Sequence, residues 1–83
     1  MKVTMYSRQF CPYCVRAKRL LDELQVDLEL ISVDGDRDAF ERMKASSGRA
    51  TVPQIWIGEE HIGGCDELLA LHRSGQLNSL VLA

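Results

Sequence analysis

Residues 10–15 read FCPYCV: Cys11 and Cys14 are separated by a proline and a tyrosine. Upstream, KVTMYS (residues 2–7) is short, β-prone and followed by a polar break, the pattern of a strand. Downstream, Cys14, Ala17, Leu21 and Leu24 recur at steps of three and four, with Leu20 widening the stripe. That periodicity predicts an amphipathic helix from Pro12 to about Gln25. The two cysteines therefore fall where a strand gives way to a helix. Cys11 lands at the N-cap, Pro12 at the first helical position and Cys14 near the third.

Working outward, Leu28 to Val33 is a second apolar run of strand length, and Asp34-Gly35-Asp36 supplies a turn and a helix cap. The following helix is expected to bury Phe40 and Met43 and to end near Ser46-Ser47-Gly48, where glycine accepts the left-handed conformation. VPQIWIGEEHIGG then reads as short strands at Gln54–Ile57 and His61–Gly63, joined by a tight turn at Gly58. Asp66 is expected to cap a further helix carrying Leu68, Leu69 and His72, closed by Gly75. Gln76 to Ala83 is expected to form a short final turn. The order βαβαββα makes the first two strands parallel and the last two an antiparallel hairpin. The predicted class is α/β: a four-stranded mixed sheet with helices on both faces.

At 83 residues the chain has room for a single domain, and residues 1–83 are read as one unit without linker, repeat or low-complexity tract. Apolar residues make up 46% and charged residues 27%, the balance of a folded soluble domain rather than a disordered one. The formal net charge of −2, with both signs interleaved, argues against a nucleic-acid partner. No apolar run follows the start MKVTMYSRQF, and none approaches the roughly 20 residues that span a bilayer, so no membrane association and a cytoplasmic location are expected. In that compartment three cysteines point to chemistry or metal rather than to a disulfide framework.

Position governs what the pair can do. Unpaired amides and the positive end of the helix dipole stabilise a thiolate at Cys11, and thiolate is the attacking species in disulfide exchange. Arg8, Arg16 and Lys18 add local positive charge. Cys14, one turn on, is close enough to form a disulfide with Cys11 and to resolve a mixed disulfide. Pro12 fixes the backbone and has no amide hydrogen, so it tunes the couple without performing chemistry. Two other uses compete with this one. The cysteines can be small apolar fillers, or half of a zinc site completed by Cys65, His61 or His72. A C-x-x-C beside a βαβ pattern favours redox chemistry, and the lack of a second C-x-x-C or C-x-x-H weighs against zinc.

Three motifs, Cys11-Pro12-Tyr13-Cys14, Thr51-Val52-Pro53 and Gly63-Gly64-Cys65-Asp66, occur in this order over nearly the whole chain. With them the sequence resembles the dithiol glutaredoxins, in particular the short bacterial glutaredoxin-three type. The resemblance implies a thioredoxin-like fold with a glutathione groove beside Cys11. It implies a cis Val52–Pro53 bond, with the Val52 backbone pairing with glutathione as a short antiparallel strand. It further implies that the amides of Gly64 and Cys65 and the Asp66 carboxylate hold the γ-glutamyl end, in keeping with anion binding at helix N-termini. Arg8 and Arg37 are candidates for the glycine carboxylate, although the family often has Lys where this chain has Arg8, and a lone arginine is commonly just a solvated charge. Tyr13 is expected to line the groove and Thr51 to shape its floor. Trp56, Phe40, Met43 and the leucines read as core or strand residues. His61 and His72 read as surface or boundary residues without catalytic duty.

The resulting expectation is a glutathione-dependent thiol–disulfide oxidoreductase. Cys11 and Cys14 are catalytic, and glutathione is co-substrate, bound by Arg8, Tyr13, Arg37, Thr51, Val52, Pro53, Gly64, Cys65 and Asp66. No metal is expected. The implied partners are disulfide-containing or glutathionylated proteins, ribonucleotide reductase among the possible clients, and the chain is expected to be a monomer. Two rivals stand beside it. One is a redoxin reduced by thioredoxin reductase, against which Gly64-Cys65-Asp66 argues. The other is an iron–sulfur protein in which two chains share a cluster through Cys11 and glutathione, against which Pro12 argues.

Overall fold

A computed structural model of the chain describes residues 2–82. Its elements are β1 (Lys2–Ser7), α1 (Pro12–Glu23), β2 (Asp27–Ser32), α2 (Arg37–Ser47), β3 (Gln54–Ile57), β4 (Glu60–Gly63), α3 (Cys65–Arg73) and α4 (Gln76–Leu82). The strands lie in the order β2-β1-β3-β4. β1 runs parallel to β2 and antiparallel to β3, and β3 and β4 form the antiparallel hairpin expected from the turn at Gly58.

Alternation along β1 separates the two cores. Val3 and Met5 point to one face, where they are fully buried with Ala17, Leu20 and Leu21 of α1, Ile55 and Ile57 of β3, Leu68 of α3, and Leu77 and Val81 of α4. Tyr6 points to the other face and packs with Val33, Ala39 and Met43 under α2, together with Ile31, Phe40, Val52 and Trp56. Each buried leucine, isoleucine or methionine contributes on the order of 1.5–3 kcal/mol relative to exposure. The chain thus folds as an α/β mixed sheet with helices on both faces, as its periodicities predict.

Caps fix the helix ends. Asp36 caps α2, its Oδ1 accepting from the Ala39 N–H at 3.0 Å, and Gly48 ends that helix with φ 73°, a left-handed conformation that costs glycine little. Two expectations need correcting. Asp66 does not cap α3: the N-cap is Gly64, and Glu67 reaches back to the Gly64 N–H at 2.7 Å. A carboxylate three residues past the cap has the reach for that bond, whereas Asp66 lies inside the first turn. Nor is the C-terminal stretch a mere turn, because Leu77 and Val81 are four apart and bury against the first core as the helix α4. Ala83, the end of that expected turn, lies outside the described residues.

Candidate active site

Cys11 is the N-cap of α1, and Pro12 occupies the first helical position. The chain enters this cap through Phe10, which has φ 56° and is 98% exposed. A left-handed aromatic residue is an outlier, held here by the turn between β1 and the cap. The turn aims the Cys11 sulfur back over the helix, where it accepts a hydrogen bond from the Cys14 N–H at 3.2 Å. The same sulfur is 4.0 Å from the Val52 carbonyl oxygen.

Cys14 is differently placed. It is 4% exposed, and its thiol is pushed up from the ordinary 9.0 to about 12, by burial first and then by its hydrogen bond to Cys11. A backbone hydrogen bond from Arg8 acts in the opposite direction without reversing the shift. All three cysteines are free thiols in this structure, and Cys11 is the more exposed of the motif pair. The geometry therefore separates an accessible sulfur at the cap from a buried, protonated one a turn away.

Beside Cys11 lies a groove of about 190 Å³ lined by Tyr13, Arg49, Thr51, Val52, Pro53, Gln54, Gly64, Cys65, Asp66 and Glu67. The Val52–Pro53 peptide bond is cis. Seven of the sequence-predicted binding residues, Tyr13, Thr51, Val52, Pro53, Gly64, Cys65 and Asp66, are thus brought together on one groove. Arg8 and Arg37 are not among them. They line a separate depression of about 440 Å³ with Val33, Gly35, Asp36 and Phe40. Arg8 is also engaged there, its Nε 3.7 Å from the Asp34 carboxylate.

Five residues of the site, Phe10, Val15, Gln54, Arg49 and Glu67, were not singled out from sequence. Phe10 joins Tyr13 and Val15, 56% and 57% exposed, in an apolar rim around Cys11. Gln54 is 1% exposed and braces the groove floor, donating from Nε2 to the Thr51 carbonyl at 3.1 Å while its Oε1 meets His61 Nε2 at 2.8 Å. His61, its ring tilted at 41° against Trp56 with centroids 4.8 Å apart, is shifted below its usual value by burial and then by the Arg49 charge. Arg49 and Glu67 form an ion pair at 2.8 Å on the groove wall. Only Glu67 carried a readable signal, its position three residues after a possible cap. The others depend on contacts across the sheet. Among the described residues, no three His, Cys, Asp or Glu side chains are grouped to hold a metal ion, and no helix is long and apolar enough to cross a membrane.

A sulfur at a helix N-cap, a buried thiol one turn on and a cis-proline groove on a thioredoxin-like sheet define a thiol–disulfide oxidoreductase. Comparison with known proteins gives its family. The glutaredoxin family model matches residues 3–62. A glutaredoxin of Pseudomonas aeruginosa is 48% identical over 81 residues, covering 98% of this chain and 96% of that protein. Glutaredoxin 3 of Escherichia coli is 47% identical over 79 residues, covering 95% of each. The crystal structure of a buckwheat glutaredoxin–glutathione complex superposes with a TM-score of 0.88 at 34% identity, over 96% of this chain and 76% of that one. The solution structure of glutaredoxin from Brucella melitensis gives 0.85 at 43% identity, over 98% and 88%. The chain belongs to the glutaredoxin family.

Proposed function

We propose that this protein is a dithiol glutaredoxin that uses glutathione to reduce protein disulfides and glutathione mixed disulfides. The observation that carries the reading is the contrast between Cys11, capped and accessible, and Cys14, buried one helical turn away. The Cys11 thiolate attacks one sulfur of the client disulfide, forming a Cys11–client bond and expelling the other sulfur as a thiolate, which takes up a proton. The Cys14 thiol, giving up its proton, then attacks the Cys11 sulfur, closing the 11–14 disulfide and releasing the reduced client. Two glutathione molecules reopen that disulfide in turn and leave as oxidised glutathione. When the substrate is a glutathionylated protein, Cys11 takes the glutathionyl group and one further glutathione removes it.

The groove supports glutathione as the reductant. Its floor offers the Val52 backbone, 4.0 Å from Cys11 Sγ, and its far wall opens with the first amides of α3, which have no partner within the helix. A peptide-like ligand bound along Val52 thus brings its thiol towards Cys11 and its acidic end towards those amides. The relative whose structure holds glutathione shares 34% of its residues with this chain, and the common fold makes an equivalent mode reasonable here. Arg8 and Arg37, which line the neighbouring depression, are proposed to swing over and receive the glycine carboxylate. The exposed Phe10, Tyr13 and Val15 give a protein client an apolar landing around the attacking sulfur. Residues 1–83 are taken to act as one unit in this scheme.

The deciding assay follows NADPH consumption when a small glutathione mixed disulfide is offered with glutathione and glutathione reductase. Sustained turnover is expected. Turnover with thioredoxin reductase and none with glutathione would replace this reading by that of a redoxin outside the glutathione pool.

A further inference from the structure

Glutathione use, as proposed above, requires the two walls of the groove to stand at a fixed separation. One wall is the segment from Arg49 to Pro53, and the other is the start of α3. A ligand of fixed length has to meet the Val52 backbone and the helix amides at once, so a small error in spacing spoils both contacts. We propose that Glu67 is a positioning residue for this groove, clasping its two walls through one carboxylate oxygen. That oxygen, Oε1, accepts from the Gly64 N–H at 2.7 Å and from Arg49 Nη1 at 2.8 Å. Gly64 and Glu67 belong to one wall and Arg49 to the other, so the Arg49 bond spans the groove while the Gly64 bond holds the carboxylate in place to receive it.

Two further observations place the clasp under packing constraint. Gly63 has φ 121°, and a Cβ built there would collide with the Glu67 carboxylate, so glycine is needed at 63 for Glu67 to fold back. A Cβ at Gly64 would sit 3.2 Å from the Pro53 carbonyl oxygen, which means the walls already approach closely at this point. The Gly64 hydrogen bond and then the Arg49 hydrogen bond lower the Glu67 carboxyl from its ordinary value, so it stays ionised and able to accept both bonds at neutral pH. Glu67 takes only the cap amide, and the Cys65 and Asp66 amides remain for a ligand. The Arg49–Glu67 pair is itself nearly half exposed, so it adds little to stability; its part is to fix the spacing of the walls, while the backbone bond fixes the carboxylate.

The test compares Glu67→Ala, Glu67→Gln, Arg49→Met and the Glu67→Ala/Arg49→Met double variant in the glutathione mixed-disulfide assay, with folding followed by circular dichroism. Glu67→Ala is expected to raise KM about tenfold with kcat within about twofold, since the lost group binds and orients but touches no reacting sulfur. Glu67→Gln keeps an acceptor for the Gly64 amide and is expected to recover to within about threefold of the parent. Arg49→Met, an exposed change that should leave folding intact, is expected to raise KM about two- to threefold. The double variant should match Glu67→Ala, because the same clasp is already broken. Alkylation of Cys11 by iodoacetamide, which needs no glutathione, should proceed at the parent rate throughout. An unchanged KM in Arg49→Met or in folded Glu67→Ala overturns the clasp. So does additivity in the double variant, which would make Arg49 a ligand contact of its own. Normal iodoacetamide alkylation in a parent protein that does not turn over the mixed disulfide would instead remove the glutathione reading, and the clasp with it.

Discussion

The Cys14 backbone N–H points at the Cys11 sulfur from 3.2 Å, while the Cys14 side chain turns into the core and is 4% exposed. In the proposed reaction, one residue thus serves the nucleophile through its backbone and keeps its own thiol in reserve. The division is a product of helix geometry: the cap residue faces the first turn's amides, and the residue three positions on shares the buried stripe with Ala17 and Leu21.

From that relationship, Cys11→Ser should abolish all thiol transfer. Cys14→Ser should keep deglutathionylation, which one sulfur and free glutathione can complete, and lose most reduction of protein disulfides. Parallel assays with a glutathionylated peptide and a disulfide-bonded protein separate these outcomes. Equal loss of both activities in Cys14→Ser would show that the roles are misassigned.

The buried thiol also makes the stability of the reduced protein depend on pH. Unfolded, Cys14 ionises near 9.0; folded, it does so at about 12. Below pH 9 both states hold the proton and the contribution is fully present. Between 9 and 12 the unfolded chain releases a proton that the folded chain retains, so stability falls as pH rises. The limiting slope for one such group is about 1.4 kcal/mol per pH unit. Cys65, also raised by burial, acts in the same direction. Urea midpoints under reducing conditions from roughly pH 7.5 to 10.5 should decline, and Cys14→Ser should flatten the decline. An equal slope in that variant would mean that Cys14 does not titrate as its burial requires.

Asp66 is exposed in the first turn of α3 and lines the groove. If its carboxylate receives the ammonium of the γ-glutamyl end, Asp66→Ala should raise the KM for glutathione roughly threefold to tenfold, with kcat little changed. Because Glu67, not Asp66, holds the cap amide, helix α3 should be intact in the variant. An unchanged KM would take Asp66 out of the binding site.

Local patterns made most of this fold legible. The β-propensity of KVTMYS, the three-and-four spacing from Cys14 to Leu24, and the Asp36 and Gly48 caps each act over a few residues, and the elements they mark appear within a residue or two of their expected bounds. The candidate cysteine pair was equally local, since Cys11 and Cys14 share one helix start. What escaped the sequence is held together across the fold. Gln54 meets His61 over the β3–β4 hairpin, and Arg49 meets Glu67 over eighteen positions of chain. α4 was missed because its apolar residues gain their meaning only from the core that α1, α3 and the sheet present to them. The placement of the two arginines in a depression apart from the groove was not legible for a related reason. A long, flexible cation finds the nearest carboxylate, and for Arg8 that is Asp34.

Cys65 provides the last and sharpest test, because it is a third thiol on the wall of the same groove. Its position invites a catalytic reading, yet the side chain is 4% exposed and packs into the first core with Leu68 and Ala17. Burial raises its thiol above the ordinary range, and the Arg16 charge only partly offsets this, so little thiolate is present at neutral pH to attack anything. Such a cysteine behaves as a small hydrophobe. Cys65→Ser should therefore keep most turnover when glutathione is supplied, while the hydroxyl placed in an apolar pocket lowers stability by about 1–2 kcal/mol. Mass spectrometry after brief treatment with oxidised glutathione should find the label on Cys11 and not on Cys65. If Cys65→Ser loses activity as severely as Cys11→Ser while remaining folded by circular dichroism, the third sulfur belongs in the reaction and the two-cysteine scheme is wrong.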